Sequence, residues 1–358
     1  MPYTERRCPR TPGDVYWRVW VGLNASRLDE SREVFCADDG SRRVAFSQIL
    51  VANPKFTYPL EEKQMPNRIE ASPHDHLQTE SRRWWETNPM SYDWHKTLLA
   101  QEGTLEFYQG IDSRFFASSS FYSGNRPFEK WIPFDTLKDK RVLEIGCGLG
   151  AHAQLLSEAG CNLTCIDLTE KAVESTKQRL ELSGLTADIR RMDAEQLDFA
   201  DGEFDFVWSW GVIHHSADTE RIIREVCRVL KPGGEFRVMV YHRRSLSGLY
   251  CLVRGLFTGK FFKGMSAPEV LSFYTDGYLA RFYTRRELRE LLTRSGFSHV
   301  ETRVLGQKSE LLPLPGKGAS GHVKQVFLRI LPDALAECAL SVAGNFLFAI
   351  ACKNAQER

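Results

Sequence analysis

Beyond residue 140 the chain alternates short apolar runs with longer amphipathic stretches. Runs at 142–145, 163–166, 204–208 and 235–240 have the length and content of buried strands, and 187–191 takes the place of another strand in the same alternation. Between them, 151–159, 170–182 and 219–230 carry apolar residues at helical spacing, clearest in Ile222, Val226, Val229 and Leu230. The punctuation agrees. Gly160 ends the first helix, Thr169 and Asp218 can cap the next two, and Pro232-Gly233-Gly234 ends the third. Thr284-Arg285-Arg286-Glu287 is a capping box for a helix bearing Leu288, Leu291 and Leu292, closed by Gly296. Two last strands are expected at 300–305 and 345–351. Repeated β-α-β alternation predicts an α/β fold, a doubly wound sheet of seven mostly parallel strands.

The rest of the chain is patterned differently. Residues 1–77 show little periodicity and read as a flexible or loosely attached extension. Residues 78–135 are rich in aromatics, and 104–118 place Leu105, Tyr108, Ile111, Phe115 and Phe116 at helical spacing. Such a stripe usually packs as core; the functional alternative is a lid over a ligand. Residues 243–283 interrupt the α/β rhythm and read as an insertion after the fifth strand. The unit between 136 and 352 is then the ligand-binding domain.

Composition narrows the class. With 47 Lys and Arg against 46 Asp and Glu, the chain has no global basic field aimed at nucleic acid or a membrane surface. No apolar run reaches the ~18 residues of a membrane span, and no secretory signal pattern is seen. The nine cysteines are scattered, and several sit inside apolar runs. Reduced thiols and a cytoplasmic location are the expectation. Cys161 and Cys165 lack a second Cys/His pair, so core packing is favoured over a metal site.

The chemistry concentrates at the ends of the predicted strands. Val142-Leu143-Glu144-Ile145-Gly146-Cys147-Gly148-Leu149-Gly150 runs from a strand through three glycines into a helix, which lets backbone N–H groups approach a ligand closely. The glycines alone also fit a loose dinucleotide fingerprint. Asp167 ends the second strand, Asp193 follows the third, and Trp210 lies just past the fourth. Together with the segments 165–169, 192–197, 204–215 and 229–234, in that order, these residues resemble the class I S-adenosylmethionine (SAM)-dependent methyltransferases. Among them the broad quinone and lipid biosynthesis group is the most similar.

That resemblance implies a Rossmann-like sheet whose last strand is antiparallel and slots between its neighbours. It implies SAM as cofactor, held by Glu144, Gly146, Cys147, Gly148, Gly150, Asp167, Leu168, Asp193, Ala194 and Trp210. Asp167 would accept from the ribose hydroxyls and Asp193 from the adenine amino group. Glu144 would either orient the loop or hold the methionine ammonium. Tyr92, Trp94, Phe115 and Tyr241 are the expected substrate contacts. His214, His215 and His242 are the candidate bases, with structural roles for them equally open.

The acceptor is expected to be a small organic molecule, oxygen slightly ahead of nitrogen or carbon. Ser209-Trp210-Gly211-Val212 stands where nucleobase amino-methyltransferases carry an Asn/Asp-Pro-Pro-aromatic tetrad, which argues against a nucleic-acid substrate. Arg281, Arg285, Arg286, Arg289 and Arg294 are either a solvated helix face or a carboxylate or phosphate clamp. The alternatives are a SAM-fold protein without turnover and, less well supported, a nicotinamide dehydrogenase. Oligomeric state is not readable from these patterns.

Overall fold

The computed structural model describes residues 72–89, 98–122, 124–312 and 318–355, within the unit that runs from Val51 to Arg358. Its centre is an eight-stranded sheet. The strands are β1 (Arg141–Ile145), β2 (Asn162–Asp167), β3 (Asp188–Arg191), β4 (Phe204–Trp210), β5 (Leu230–His242), β6 (Phe282–Tyr283), β7 (Phe297–Leu305) and β8 (Phe346–Lys353). They lie in the order β3-β2-β1-β4-β5-β8-β7. The first five are parallel, and β8 runs antiparallel between β5 and β7. The predicted doubly wound sheet and its inserted antiparallel strand are both present.

The helices, in chain order, are α1 (Pro73–Thr87), α2 (Leu105–Ala117), α3 (Phe134–Leu137), α4 (Ala151–Glu158), α5 (Glu170–Leu182), α6 (Thr219–Val229), α7 (Leu246–Phe257), α8 (Ala267–Phe273), α9 (Arg285–Arg294), α10 (Gly318–Ile330) and α11 (Asp333–Ala343). The main core joins β1, β4, β5 and β8 to α6 and α9 through Leu143, Val207, Val238, Ile223, Val226 and Leu292, all fully buried. Burial on both faces explains why the central strands read as continuous apolar runs. Capping follows the sequence signals: Thr169 accepts from Ala172 N, Asp218 from Arg221 N, and Thr284 with Glu287 closes a capping box.

The largest departures from the expected strands are at β5 and β6. The eighth strand, β6, arises within 243–283 because Phe282 and Tyr283 pair with Tyr241 and His242, where β5 has outrun β4. Strand β5 starts five residues before the predicted 235, at Leu230. Pro232-Gly233-Gly234 does not break it; the pairing register with β4 shifts there, between Phe204 and Phe206.

Helix α1 opens before residue 78, at Pro73, with Ser72 accepting from Asp75 N. Helices α10 and α11 fall between the two last expected strands, where the pattern predicts no element.

Candidate cofactor and active site

At the C-terminal edge of the parallel strands lies a cleft of about 130 Å³. Ligands of such sheets bind at this edge, where the strand order reverses; here that point is between β1 and β4. Ile145, Gly146 and Gly148 form its floor, Asp167 and Leu168 one side, Met192, Asp193 and Ala194 another, and Trp210, Val212 and His215 a third.

The glycines are needed by geometry. Gly146 has φ +82°, and a Cβ there would stand 2.2 Å from Val212 Cγ2. Gly150, φ +77°, starts α4 and leaves room for Arg179 Cδ, which a Cβ would approach to 3.1 Å. Gly148 N donates to Asp167 Oδ2 at 3.2 Å, so the loop and the carboxylate hold each other in place. Asp167 Oδ1 accepts from Thr169 N at 3.0 Å and Thr169 Oγ1 at 2.8 Å. Burial raises the Asp167 carboxyl above its ordinary value, opposed by these three hydrogen bonds.

Asp193 is gripped from helix α1. Gln78 Nε2 on α1 is 3.0 Å from both of its oxygens, while Glu195 N donates to Oδ1 at 2.9 Å. Gln78 Oε1 in turn accepts from Ala217 N at 3.0 Å. The same helix contributes Ser81 Oγ to His215 O at 3.1 Å and Trp85 against the His215 ring at 4.9 Å. Glu86 accepts from Glu170 N and Lys171 N at the start of α5. His74 Nε2 lies 2.6 Å from Glu195, which also accepts from Asp218 N and Ser216. Helix α1 is therefore strapped across the cleft at five points along its length. Gln78, Ser81 and Trp85 line the cavity, and the sequence reading did not include them among site residues. Ser72-Pro73-His74-Asp75, a cap followed by Pro at the first helical position, was the signal that could have extended the helix to this face.

Three expected cofactor residues sit behind the cleft. Glu144 is buried beneath the loop, where Cys165 Sγ donates to Oε2 at 3.4 Å and His152 Nδ1 stands 3.7 Å from Oε1. Burial lifts the Glu144 carboxyl to about 8 and depresses the His152 ring to about 3, so both are neutral at neutral pH. Cys147 faces the core, and burial pushes its thiol well up. Gly150 belongs to the helix start. The supporting layer continues in Arg179, buried, with its Nε donating to Gln154 at 2.9 Å and its guanidinium paired with Asp112.

Of the three histidines, His215 lines the cleft. Its Nδ1 is 2.7 Å from Leu279 O; a carbonyl can only accept, so Nδ1 carries a proton. His214 is fully buried, its ring 4.1 Å from that of Tyr241. His242 is buried away from the cleft, its Nδ1 3.0 Å from Gly344 O, and desolvation lowers its pKa.

Tyr241 lies behind the histidine pair and lines a second, smaller cavity with Ser247, Cys251, Tyr274 and Asp276. Its hydroxyl donates to Asp276 Oδ1 at 2.6 Å. Phe115 is not brought to the cleft; it packs among Phe116, Tyr122, Phe128 and His152. Tyr92 and Trp94 lie outside the described residues.

The arginines of 281–294 are dispersed into local contacts. Arg281 donates to Ser216 O and Ala217 O, Arg285 to Ser341 O, Arg286 pairs with Glu290 and Arg294 with Glu220. Among the described residues no cluster of three His, Cys, Asp or Glu could hold a metal ion.

Residues 143–238, which include the glycine loop, both aspartates and β4, match the methyltransferase domain family. Over that span the chain is similar to the class I SAM-dependent methyltransferase superfamily. The chain is 40% identical over 101 residues to the sarcosine/dimethylglycine N-methyltransferase of Halorhodospira halochloris, covering 27% of this chain and 36% of that protein. It is 33% identical over 119 residues to the ubiquinone biosynthesis O-methyltransferase of Dechloromonas aromatica, covering 33% of this chain and 51% of that protein. The methyltransferase match thus spans about a third to a half of these relatives' length. Among solved structures, the Haemonchus contortus phosphoethanolamine N-methyltransferase 2, in complex with phosphomonomethylethanolamine and S-adenosylhomocysteine, aligns at 20% identity and TM-score 0.47. It covers 78% of this chain and 60% of that one.

Proposed function

We propose that this cleft binds SAM and that the protein transfers its methyl group to a small organic acceptor. One observation carries the reading: two carboxylates, Asp167 and Asp193, line one cleft with Gly146 and Gly148. Asp167 would accept from the ribose hydroxyls and Asp193 from the adenine amino group. Each still has acceptor capacity, since a carboxylate offers about four lone-pair sites and each accepts three protein hydrogen bonds. The backbone at Gly146 and Gly148 leaves space for close approach of the ligand.

Bound SAM supplies a methyl group already activated by its sulfonium. The chain's task is to align the acceptor and exclude water. Helix α1 supports the second role by covering the cleft with Gln78, Ser81 and Trp85. An oxygen acceptor is the slightly favoured choice, and His215, which lines the cleft, is the candidate base. Trp210 contributes an apolar wall, stacked on Trp208 at 5.4 Å.

The test is calorimetric titration with S-adenosylhomocysteine, alongside NAD and the Asp167→Ala variant. Micromolar binding of S-adenosylhomocysteine, lost in the variant, with no NAD binding, is the expected result. A folded sample that binds only NAD, or neither ligand, overturns the proposal.

A further inference from the structure

Helix α7 is amphipathic with its faces reversed. Ser247, Gly248, Cys251 and Gly255 are buried, whereas Leu249, Val253, Leu256 and Phe257 are exposed. The exposed set recurs at i, i+4, i+7 and i+8, one continuous apolar stripe of the kind that normally faces a core. The small residues are fixed inward by close packing on α8: a Cβ at Gly255 would stand 2.4 Å from Val270 Cγ1. The helix therefore cannot roll to hide its stripe. Phe257 and, just beyond the helix, Phe262 each keep 85% of their surface exposed. Monomeric proteins rarely leave such contiguous apolar surface uncovered without a partner for it.

Charge indicates which partner. From 236 to 268 the sequence holds no Asp or Glu, yet it contains Arg237, Arg243, Arg244, Arg254, Lys260 and Lys263. Arg237 and Arg243 are paired with Glu235 and Glu287. Arg254 and Lys260 lie over the rings of Tyr274 and Phe273 at 4.7 Å and 3.8 Å, and Arg244 and Lys263 are exposed. None of these last four has a carboxylate partner among the described residues. A Phe/Leu stripe with Lys and Arg along its margin is the composition of a helix lying in a lipid headgroup layer. Protein interfaces, by contrast, are depleted in lysine. Twelve helical residues reach about 18 Å, short of the ~30 Å hydrocarbon core, so the helix would lie in the plane rather than cross.

We propose that the surface formed by α7 and the 258–263 turn docks on an anionic lipid membrane. The stripe enters the acyl boundary and Arg244, Arg254, Lys260 and Lys263 meet the headgroups. This attachment is independent of the methyl-transfer reading and would stand if that reading failed.

The test is co-sedimentation of the full chain with vesicles of phosphatidylcholine alone and of equimolar phosphatidylcholine and phosphatidylglycerol. Binding to the anionic vesicles, weakening with salt, is expected. Arg244→Glu/Lys263→Glu should weaken it about thirtyfold or more, and Phe257→Ser/Phe262→Ser about tenfold. All four positions are exposed, so unchanged circular dichroism is expected for both variants. Failure of the wild type to sediment with anionic vesicles overturns the proposal, as does wild-type binding by both variants. A Phe257→Ser/Phe262→Ser variant that turns a dimer into a monomer, with vesicle binding absent, assigns the face to a second copy of the chain instead.

Discussion

Gln78 and Asp193 are joined across 115 residues of sequence, the amide nitrogen of one lying 3.0 Å from both carboxylate oxygens of the other. The contact ties helix α1 to the residue expected to receive adenine. It also fixes the carboxylate rotamer: Oδ1 accepts from Gln78 and Glu195 N, which leaves Oδ2 with capacity to spare. Gln78 thus holds Asp193 from across the cleft that both residues line.

Removing that amide should loosen both Asp193 and helix α1. Hydrogen bonds to charged groups contribute about 1.5–3 kcal/mol, so Gln78→Ala is expected to weaken S-adenosylhomocysteine binding about tenfold. Limited proteolysis should also cut 73–87 faster in the variant. Calorimetry showing unchanged or tighter binding would mean that Gln78 competes with the ligand for Asp193.

Gly146 offers a sharper perturbation, with two separable costs. An alanine there must hold φ +82°, and its Cβ would meet Val212 Cγ2 at 2.2 Å. Backbone strain of this kind costs about 1–3 kcal/mol, and the clash adds to it. Gly146→Ala is expected to abolish measurable S-adenosylhomocysteine binding and to lower the thermal midpoint. Adding Val212→Ala removes the two closest contacts, leaving the Cβ of residue 212 at 2.9 Å and the strain untouched, so part of the stability should return. If the double variant is no more stable than the single one, the clash is not what limits this position.

Much of this arrangement was legible in the sequence. Strands β1 and β4 announce themselves because burial on both faces demands mostly apolar runs, as in Val142, Leu143 and Ile145; β3 is legible only from the β-α-β rhythm, since Ile189 alone of its four residues is buried. The glycines and Asp167 stand out because a tight turn and a strand-end carboxylate need those residue types. Phe115 shows where the reading stops: helical spacing says that a face is covered, not what covers it. Its neighbours are Tyr122, Phe128 and His152, from other parts of the chain. Gln78 was missed for a related reason, since its role exists only once α1 is laid against the Asp193 loop.

Glu144 makes stability depend on pH. Its folded carboxyl titrates near 8, against an ordinary value of 4.5. Between these values the folded state keeps a proton that the unfolded chain releases. The stability this group contributes is full below about pH 4.5 and is lost as pH rises through about 8. Glu144→Gln stays neutral throughout and escapes that loss. Urea denaturation at pH 5, 6.5 and 8 should therefore show the variant gaining on wild type, by on the order of a few kcal/mol across the range. Parallel profiles for the two proteins would show that Glu144 does not change its ionisation on folding.

The Arg179–Asp112 pair behind the glycine loop is the last element to test. Arg179 is 1% exposed and Asp112 4%, and the guanidinium lies over the Tyr108 ring at 5.5 Å. Breaking a buried pair from one side strands the other charge and costs about 3–5 kcal/mol. Asp112→Ala should therefore unfold at lower urea than wild type by that margin. Replacing both partners with apolar residues of similar volume, Asp112→Leu with Arg179→Met, removes the stranded charge and should recover most of the loss. Arg179 also donates to Leu149 O at 3.3 Å and to Gln154, so the double variant frees two acceptors beside the loop. Its stability should return further than its affinity for S-adenosylhomocysteine. Equal recovery of both would mean that the pair supports the fold but does not position the glycine loop.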